Sequence, residues 1–150
     1  MRFAIIAPCP WAAGLFGHRQ LEGFVTHKVL IVDDSKLARM AVVKTLTALR
    51  PDWTRVEASN AEEALEHIER GPLDIVLLDF NMPGKDGLVF AAELRQSNPN
   101  ISVAVVSANR QLEVINRTQA AGATFLPKPL TEKALRDFLD IAVKRSQGAG

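Results

Sequence analysis

Val29-Leu30-Ile31-Val32-Asp33-Asp34-Ser35 and Ile75-Val76-Leu77-Leu78-Asp79 are the two stretches that decide the fold. Each is a short, wholly apolar run rich in β-branched residues and closed by acid. Runs of this kind read as strands buried on both faces, as parallel strands are when helices cover both sides of a sheet. The acids then stand at the carboxyl edge of the sheet, where open α/β folds bind their ligands. Three carboxylates, Asp33, Asp34 and Asp79, are therefore expected to converge there. Clustered carboxylates repel one another, and a divalent cation that prefers oxygen, Mg²⁺ before others, relieves the repulsion.

Outward from these runs the chain alternates strands and helices. The periodicity predicts a first strand over Lys28 to Val32 and a helix over Ser35 to Leu49, with Ala38, Val42, Leu46 and Leu49 on one stripe and Pro51 as its stop. A short strand from Thr54 to Ala58 leads to Asn60-Ala61-Glu62-Glu63, a helix cap with Glu three residues on, and a helix to about Arg70. Leu73 to Leu78 reads as the third strand, and a turn holding Pro83, Gly84 and Gly87 precedes a helix from Asp86 to Gln96. A fourth strand over Ile101 to Val106, a helix over Asn109 to Ala121 ended by Gly122, and a short fifth strand over Thr124 to Leu126 follow. Thr131 caps a last helix carrying Leu135, Phe138, Leu139 and Ala142 and running to Arg145. Five such units imply a doubly wound α/β fold with one five-stranded parallel sheet.

Composition fits a single domain. With 150 residues and 47% hydrophobic content, the chain buries a real core without disulfides. The formal charge of +1 gives no basic surface for nucleic acid or for a membrane headgroup, and no stretch is apolar for long enough to cross a bilayer. The one cysteine, Cys9, cannot form an internal disulfide, so a reducing cytoplasm is the expected location. Residues 1–26 differ from the rest: Met1 to Gly17 is apolar, holds Pro8 and Pro10, and has no clean periodicity. Arg2 before an apolar stretch has the look of an export signal, but the prolines interrupt it and no small-residue cleavage site follows. The expectation is an N-terminal extension over 1–26, poorly ordered or upstream of the true start, with Val25 as a candidate initiator. The domain proper is expected over 27–145 and a flexible tail over 146–150.

Four positions now stand at the ends of strands one, three, four and five: Asp33 with Asp34, Asp79, Ser107 and Lys128. Val32-Asp33-Asp34-Ser35, Leu78-Asp79-Phe80-Asn81-Met82-Pro83-Gly84-Lys85-Asp86-Gly87, Val106-Ser107-Ala108 and Lys128-Pro129, in this order, resemble the receiver domain of two-component response regulators. The resemblance covers Lys28 to Arg145 and implies a flavodoxin-like receiver fold with strand order 2-1-3-4-5.

It also implies roles. Asp79 matches the acceptor that takes a phosphoryl group from the phosphohistidine of a kinase or phosphotransfer protein. Asp34 and Asp79 match direct Mg²⁺ ligands, Asp33 one that acts through metal-bound water, and the Asn81 backbone carbonyl the remaining protein ligand. Lys128 matches the cation that meets the phosphoryl oxygens. Ser107 and Phe125 match a switch in which the hydroxyl turns toward the phosphoryl group and the ring follows. Phe125 lacks the phenolic oxygen of a tyrosine. The Lys128-Pro129 bond is expected cis. Asn81 and Asn109 match positions flanking the path of the attacking water, and two neutral amides imply intermediate self-dephosphorylation. The last two helices and the fifth strand match the docking face, where Arg110, Arg117, Lys133 and Arg136 suggest an acidic partner. With five residues after Arg145, the expectation is a stand-alone receiver acting on a protein target.

Plainer readings stand beside these. A single strand-end Asp is usually a cap, Ser107 alone a turn residue, and a Phe near a sheet edge core. Met40 and Met82 read as gap filler or surface, and His18, His27 and His67 as solvated. A haloacid dehalogenase-type phosphatase also uses a strand-end Asp with Mg²⁺, but wants an acid two residues on, where Asn81 stands and cannot shuttle a proton. A phosphorylation-independent docking domain with the same fold is the remaining alternative; such receivers usually lack an acid or the lysine, and this chain has them all.

Overall fold

The computed structural model describes residues 26–148. Five parallel strands form one sheet: β1 (Lys28–Val32), β2 (Thr54–Ala58), β3 (Ile75–Asp79), β4 (Ser102–Ser107) and β5 (Thr124–Pro127). Their order is β2-β1-β3-β4-β5, the expected 2-1-3-4-5 arrangement. Between and after them run α1 (Lys36–Leu49), α2 (Ala61–Arg70), α3 (Gly87–Ser97), α4 (Leu112–Ala120) and α5 (Glu132–Gly148).

Strand alternation divides the core into two layers. Leu30, Val32, Val76, Leu78, Val103 and Val105 pack beneath Ala61 and Ala64 of α2 and Leu88, Phe90, Ala91 and Leu94 of α3. Val29, Ile31, Ile75, Leu77, Ala104, Val106 and Leu126 pack on the other face, against Leu46 of α1 and Leu135, Phe138, Leu139 and Ala142 of α5. Because both faces are covered, the central strands are apolar through their middles, with polar residues only at their ends, such as Lys28 and Ser102 at the amino edge. That is why the acids come at the ends of the apolar runs.

Side-chain caps fix where the helices begin. Ser35 Oγ accepts from Ala38 N at 3.2 Å, Asp86 Oδ1 from Leu88 N at 2.7 Å, and Thr131 Oγ1 from Ala134 N at 3.1 Å. At α2 the capping is reciprocal: Asn60 Oδ1 accepts from Glu63 N at 2.9 Å, while Glu63 reaches back to Ser59 N at 2.7 Å. The N–H and hydroxyl of Ser59 hold the Glu63 carboxyl below its ordinary range.

Several boundaries differ from the sequence expectation. Strand β3 runs from Ile75 to Asp79, not Leu73 to Leu78, so Asp79 itself ends the strand. Helix α4 begins at Leu112, not Asn109. Ser107 Oγ accepts from Asn109 N at 3.0 Å and Asn109 Oδ1 from Gln111 N at 3.0 Å, and these local bonds hold the segment in turns instead of helix. Helix α5 continues through Ser146 and Gln147 to Gly148, where a flexible tail was expected. His27, read as solvated, is buried with its ring centroid 4.5 Å from that of Trp53, because the chain enters β1 beside the indole. The expectations for Cys9, His18, Val25 and residues 1–25 generally lie outside the described residues.

Candidate functional site

Strands β1 and β3 are neighbours in the sheet, with Val32 paired to Leu78, so their carboxyl ends emerge side by side. Asp33, Asp34 and Asp79 accordingly present carboxylate oxygens within 4.8 Å of one another. The convergence expected from the strand-end acids is thus present in the structure. Asp33 and Asp79 are buried, while Asp34 is exposed at the rim.

The electrostatics are those of a crowded anionic site with one fixed cation. Lys128 Nζ lies 2.8 Å from Asp79 Oδ1, brought across from the loop after β5. That reach is set by the backbone: Lys128 N donates to Ser107 O at 2.9 Å, which extends the β4–β5 pairing past the strand end. The Lys128-Pro129 peptide is cis, as expected. Burial pushes the Asp33 carboxyl above its ordinary value. The Ser35 N–H, 2.8 Å from Asp33 Oδ1, works against that shift, as does Lys128, whereas the Asp79 and Asp34 charges add to it.

These residues fit a small oxygen-ligated cation. Three carboxylates share one ammonium, an excess of negative charge that a divalent ion would offset, and exposed Asp34 leaves the rim open to water-carrying Mg²⁺. Asn81, expected to add its carbonyl, sits in the exposed turn two residues beyond Asp79.

Ser107 ends β4 and is almost fully buried, its hydroxyl accepting from Asn109 N. Phe125 stands opposite Val105 on β5 and is half-buried. Asn109 is exposed in the turn after Ser107. A cavity of about 310 Å³ opens beside the cluster, walled by Ile31, Val42, Leu77, Val106 and Leu130, with Asp79 and Lys128 also lining it.

Two features of the site were not foreseen. Gly87 lies so close beneath the end of β3 that a Cβ there would sit 2.9 Å from the carbonyl oxygens of both Asp79 and Phe80. Sequence shows a glycine in a turn, but not what presses on it. Arg39 Nη1 donates to the Asp33 carbonyl at 2.5 Å, and its Nε to Glu57 Oε1 at 3.0 Å. An arginine on an amphipathic helix reads as surface, and no sequence signal gives that contact.

The expected basic docking face is less cationic than the composition suggested. Arg117 lies 3.9 Å from Asp86, Lys133 lies 2.7 Å from Asp137, and Arg136 pairs with Glu132.

Comparison with known proteins agrees with the geometry. The pattern of the response regulator receiver domain matches residues 29–140. The transcriptional regulatory protein MalR of Bacillus subtilis is 35% identical over 115 residues, 73% of this chain and 49% of that protein. The glycerol metabolism activator of Pseudomonas putida is 33% identical over 116 residues, 76% of this chain and 52% of that protein. The chain thus spans about half the length of these curated relatives. Among solved structures, a CheY-like receiver domain protein from Methanospirillum hungatei superposes with TM-score 0.75 at 21% identity, covering 83% of this chain and 99% of that one, a likeness of fold. The signal receiver domain of a DNA-binding response regulator from Colwellia psychrerythraea gives TM-score 0.72 at 27% identity, covering 79% and 98%. With the acidic cluster, the lysine and the strand order in place, the chain belongs to the response regulator receiver domain family.

Proposed function

We propose that this domain accepts a phosphoryl group from the phosphohistidine of a sensor kinase or phosphotransfer protein onto Asp79, in a Mg²⁺-dependent reaction in the cytoplasm. The observation that carries the proposal is the Asp79 carboxylate, buried at the end of β3 with Lys128 Nζ at 2.8 Å and two further carboxylates beside it. An Asp79 oxygen attacks phosphorus as the phosphorus–nitrogen bond breaks, and the bond's electron pair stays with the imidazole, which departs neutral with its proton already on the other ring nitrogen. Such transfer needs in-line positioning and charge neutralisation more than covalent help from the protein. Asp33, Asp34, Asp79 and the Asn81 carbonyl would hold Mg²⁺, which supplies charge neutralisation for the phosphoryl oxygens when bound. Lys128 exchanges its contact with the free carboxylate for one with the new phosphoryl oxygens.

The added charge of about −2 supplies the signal. Ser107 gives up Asn109 N and donates to a phosphoryl oxygen; Phe125 turns inward behind it. The face formed by β5, α4 and α5 then binds a downstream protein target with altered affinity, through a shift between two existing states. Chemistry is confined to the domain's own side chain, with no turnover of an external substrate. Asn81 and Asn109 leave the acyl phosphate an intermediate lifetime.

The test is intact mass after incubation with acetyl phosphate and Mg²⁺, followed by an EDTA chase. A single phosphoryl addition is expected for the wild type, none for Asp79→Asn, and none without metal. A folded wild type that takes up no phosphoryl group would transfer the case to phosphorylation-independent docking.

A further inference from the structure

From the contacts around β1 we infer that Arg39 is a positioning residue for the metal site, acting on Asp34 through the peptide plane that joins it to Asp33. The inference rests on the receiver reading above and extends it to a residue outside the expected site.

Asp34 is the exposed acid of the cluster, and among the described residues no hydrogen bond holds its carboxylate. Its direction therefore depends on its backbone. The Asp33 carbonyl and the Asp34 N–H belong to one planar peptide unit, so fixing the carbonyl fixes the plane from which the Asp34 side chain departs. Arg39 Nη1 donates to that carbonyl at 2.5 Å. The preceding unit is pinned separately, by Asp33 N donating to Ala58 O of β2 at 3.1 Å. Beyond Asp33 the regular strand pairing stops, and Arg39 replaces it.

The guanidinium is itself held. Nε donates to Glu57 Oε1 of β2 at 3.0 Å, and the side chain is only 14% exposed. Two contacts on one rigid planar group tie α1 and β2 to the loop that carries the metal-binding acids. A lysine has a single nitrogen and no fixed fork, so it cannot hold both partners in the same geometry. Groups that orient metal ligands without touching the metal typically contribute ten- to a hundred-fold in affinity.

Mg²⁺ titrated calorimetrically into the wild type, Arg39→Gln and Arg39→Lys, with the metal-free melting temperature of each, tests the assignment. Arg39→Gln is expected to bind Mg²⁺ about ten-fold or more weakly, and Arg39→Lys to fall between it and the wild type, while the metal-free melting temperature of Arg39→Lys stays at the wild-type value. Affinity within two-fold of wild type in Arg39→Gln would overturn the inference. So would affinity losses that track equal losses of metal-free melting temperature across both variants. Should Arg39→Gln fail to fold, Arg39→Lys decides alone, with weaker Mg²⁺ at unchanged metal-free stability as support and wild-type affinity as refutation. A wild type that binds no Mg²⁺ would refute the proposed Mg²⁺-dependent phosphoacceptor function itself, a result distinct from Mg²⁺ binding that ignores Arg39.

Discussion

Asp33 shows how one residue carries opposing demands. Its carboxyl is buried beside two other acids, and burial chiefly raises its pKa above the ordinary value. The folded chain therefore keeps the proton to a higher pH than the unfolded chain does. Below about pH 4, near the ordinary carboxylate value, both states are protonated and the group contributes nothing. As pH rises through the raised native value, the folded state must ionise in an unfavourable place and stability falls. In metal-free protein, Asp33→Asn should therefore gain stability relative to wild type as pH rises toward 7 from about 4. Urea unfolding in EDTA at both ends of that range reads the gap between the two proteins; a gap that does not widen with pH would contradict the account. The same substitution should weaken Mg²⁺ binding, because the destabilising charge is the one the cation uses. Asp33 and Asp79 were legible in the sequence because each closes an apolar strand within an ordered set of motifs, a joint pattern that outweighs the cap reading a single strand-end Asp would receive. His27 was not: its burial depends on Trp53, which the sequence separates from it by a whole helix.

At the scale of elements, the turn between β3 and α3 shows what the site requires of its scaffold. Asp86 caps α3 through Leu88 N, and Gly87 at the first helical position lets the helix start directly against the Asp79 and Phe80 carbonyls. Gly87→Ala places a methyl 2.9 Å from both oxygens, so backbone must shift at the residue that carries the acceptor. The expected cost is about 1–3 kcal/mol in urea unfolding, with slower phosphoryl uptake from acetyl phosphate as a second readout. Uptake and stability both at wild-type values would show that the turn absorbs the methyl freely. Gly84 in the same turn has φ of 85° and open space around it, so its requirement is conformational instead of steric. Sequence marks both as turn glycines and cannot separate the two causes. The late start of α4 has the same character, since the competing bonds of Ser107 and Asn109 become visible only when their partners are known.

On the scale of the whole molecule, the acidic cluster joins β1 to β3 and, through Lys128, to the loop after β5. A ligand that binds only the assembled cluster stabilises the fold by mass action. Mg²⁺ at a hundred times its dissociation constant should raise unfolding free energy by about 2.7 kcal/mol. Thermal unfolding with and without Mg²⁺ checks this, and Asp34→Asn should lose most of the shift while remaining folded, since Asp34 is exposed. An equal Mg²⁺ response in Asp34→Asn would place the ion elsewhere.

The sequence by itself determined the fold class, the helix caps at Asn60 and Thr131 and the identity of the central acids. Each rests on periodicity or on side-chain bonds spanning a few residues, and such information survives in a linear pattern. It also carried the ordered motifs through which Lys128 was assigned to the site, 49 positions after Asp79. Tertiary structure alone decided the contact of Arg39 with the Asp33 carbonyl, the pressure on Gly87, the burial of His27, and the approach of Arg117 to Asp86. In these cases the outcome depends on which groups lie within a few ångströms across helices and strands. Periodicity says which face a residue takes, whereas partner and distance follow from how the faces are packed together.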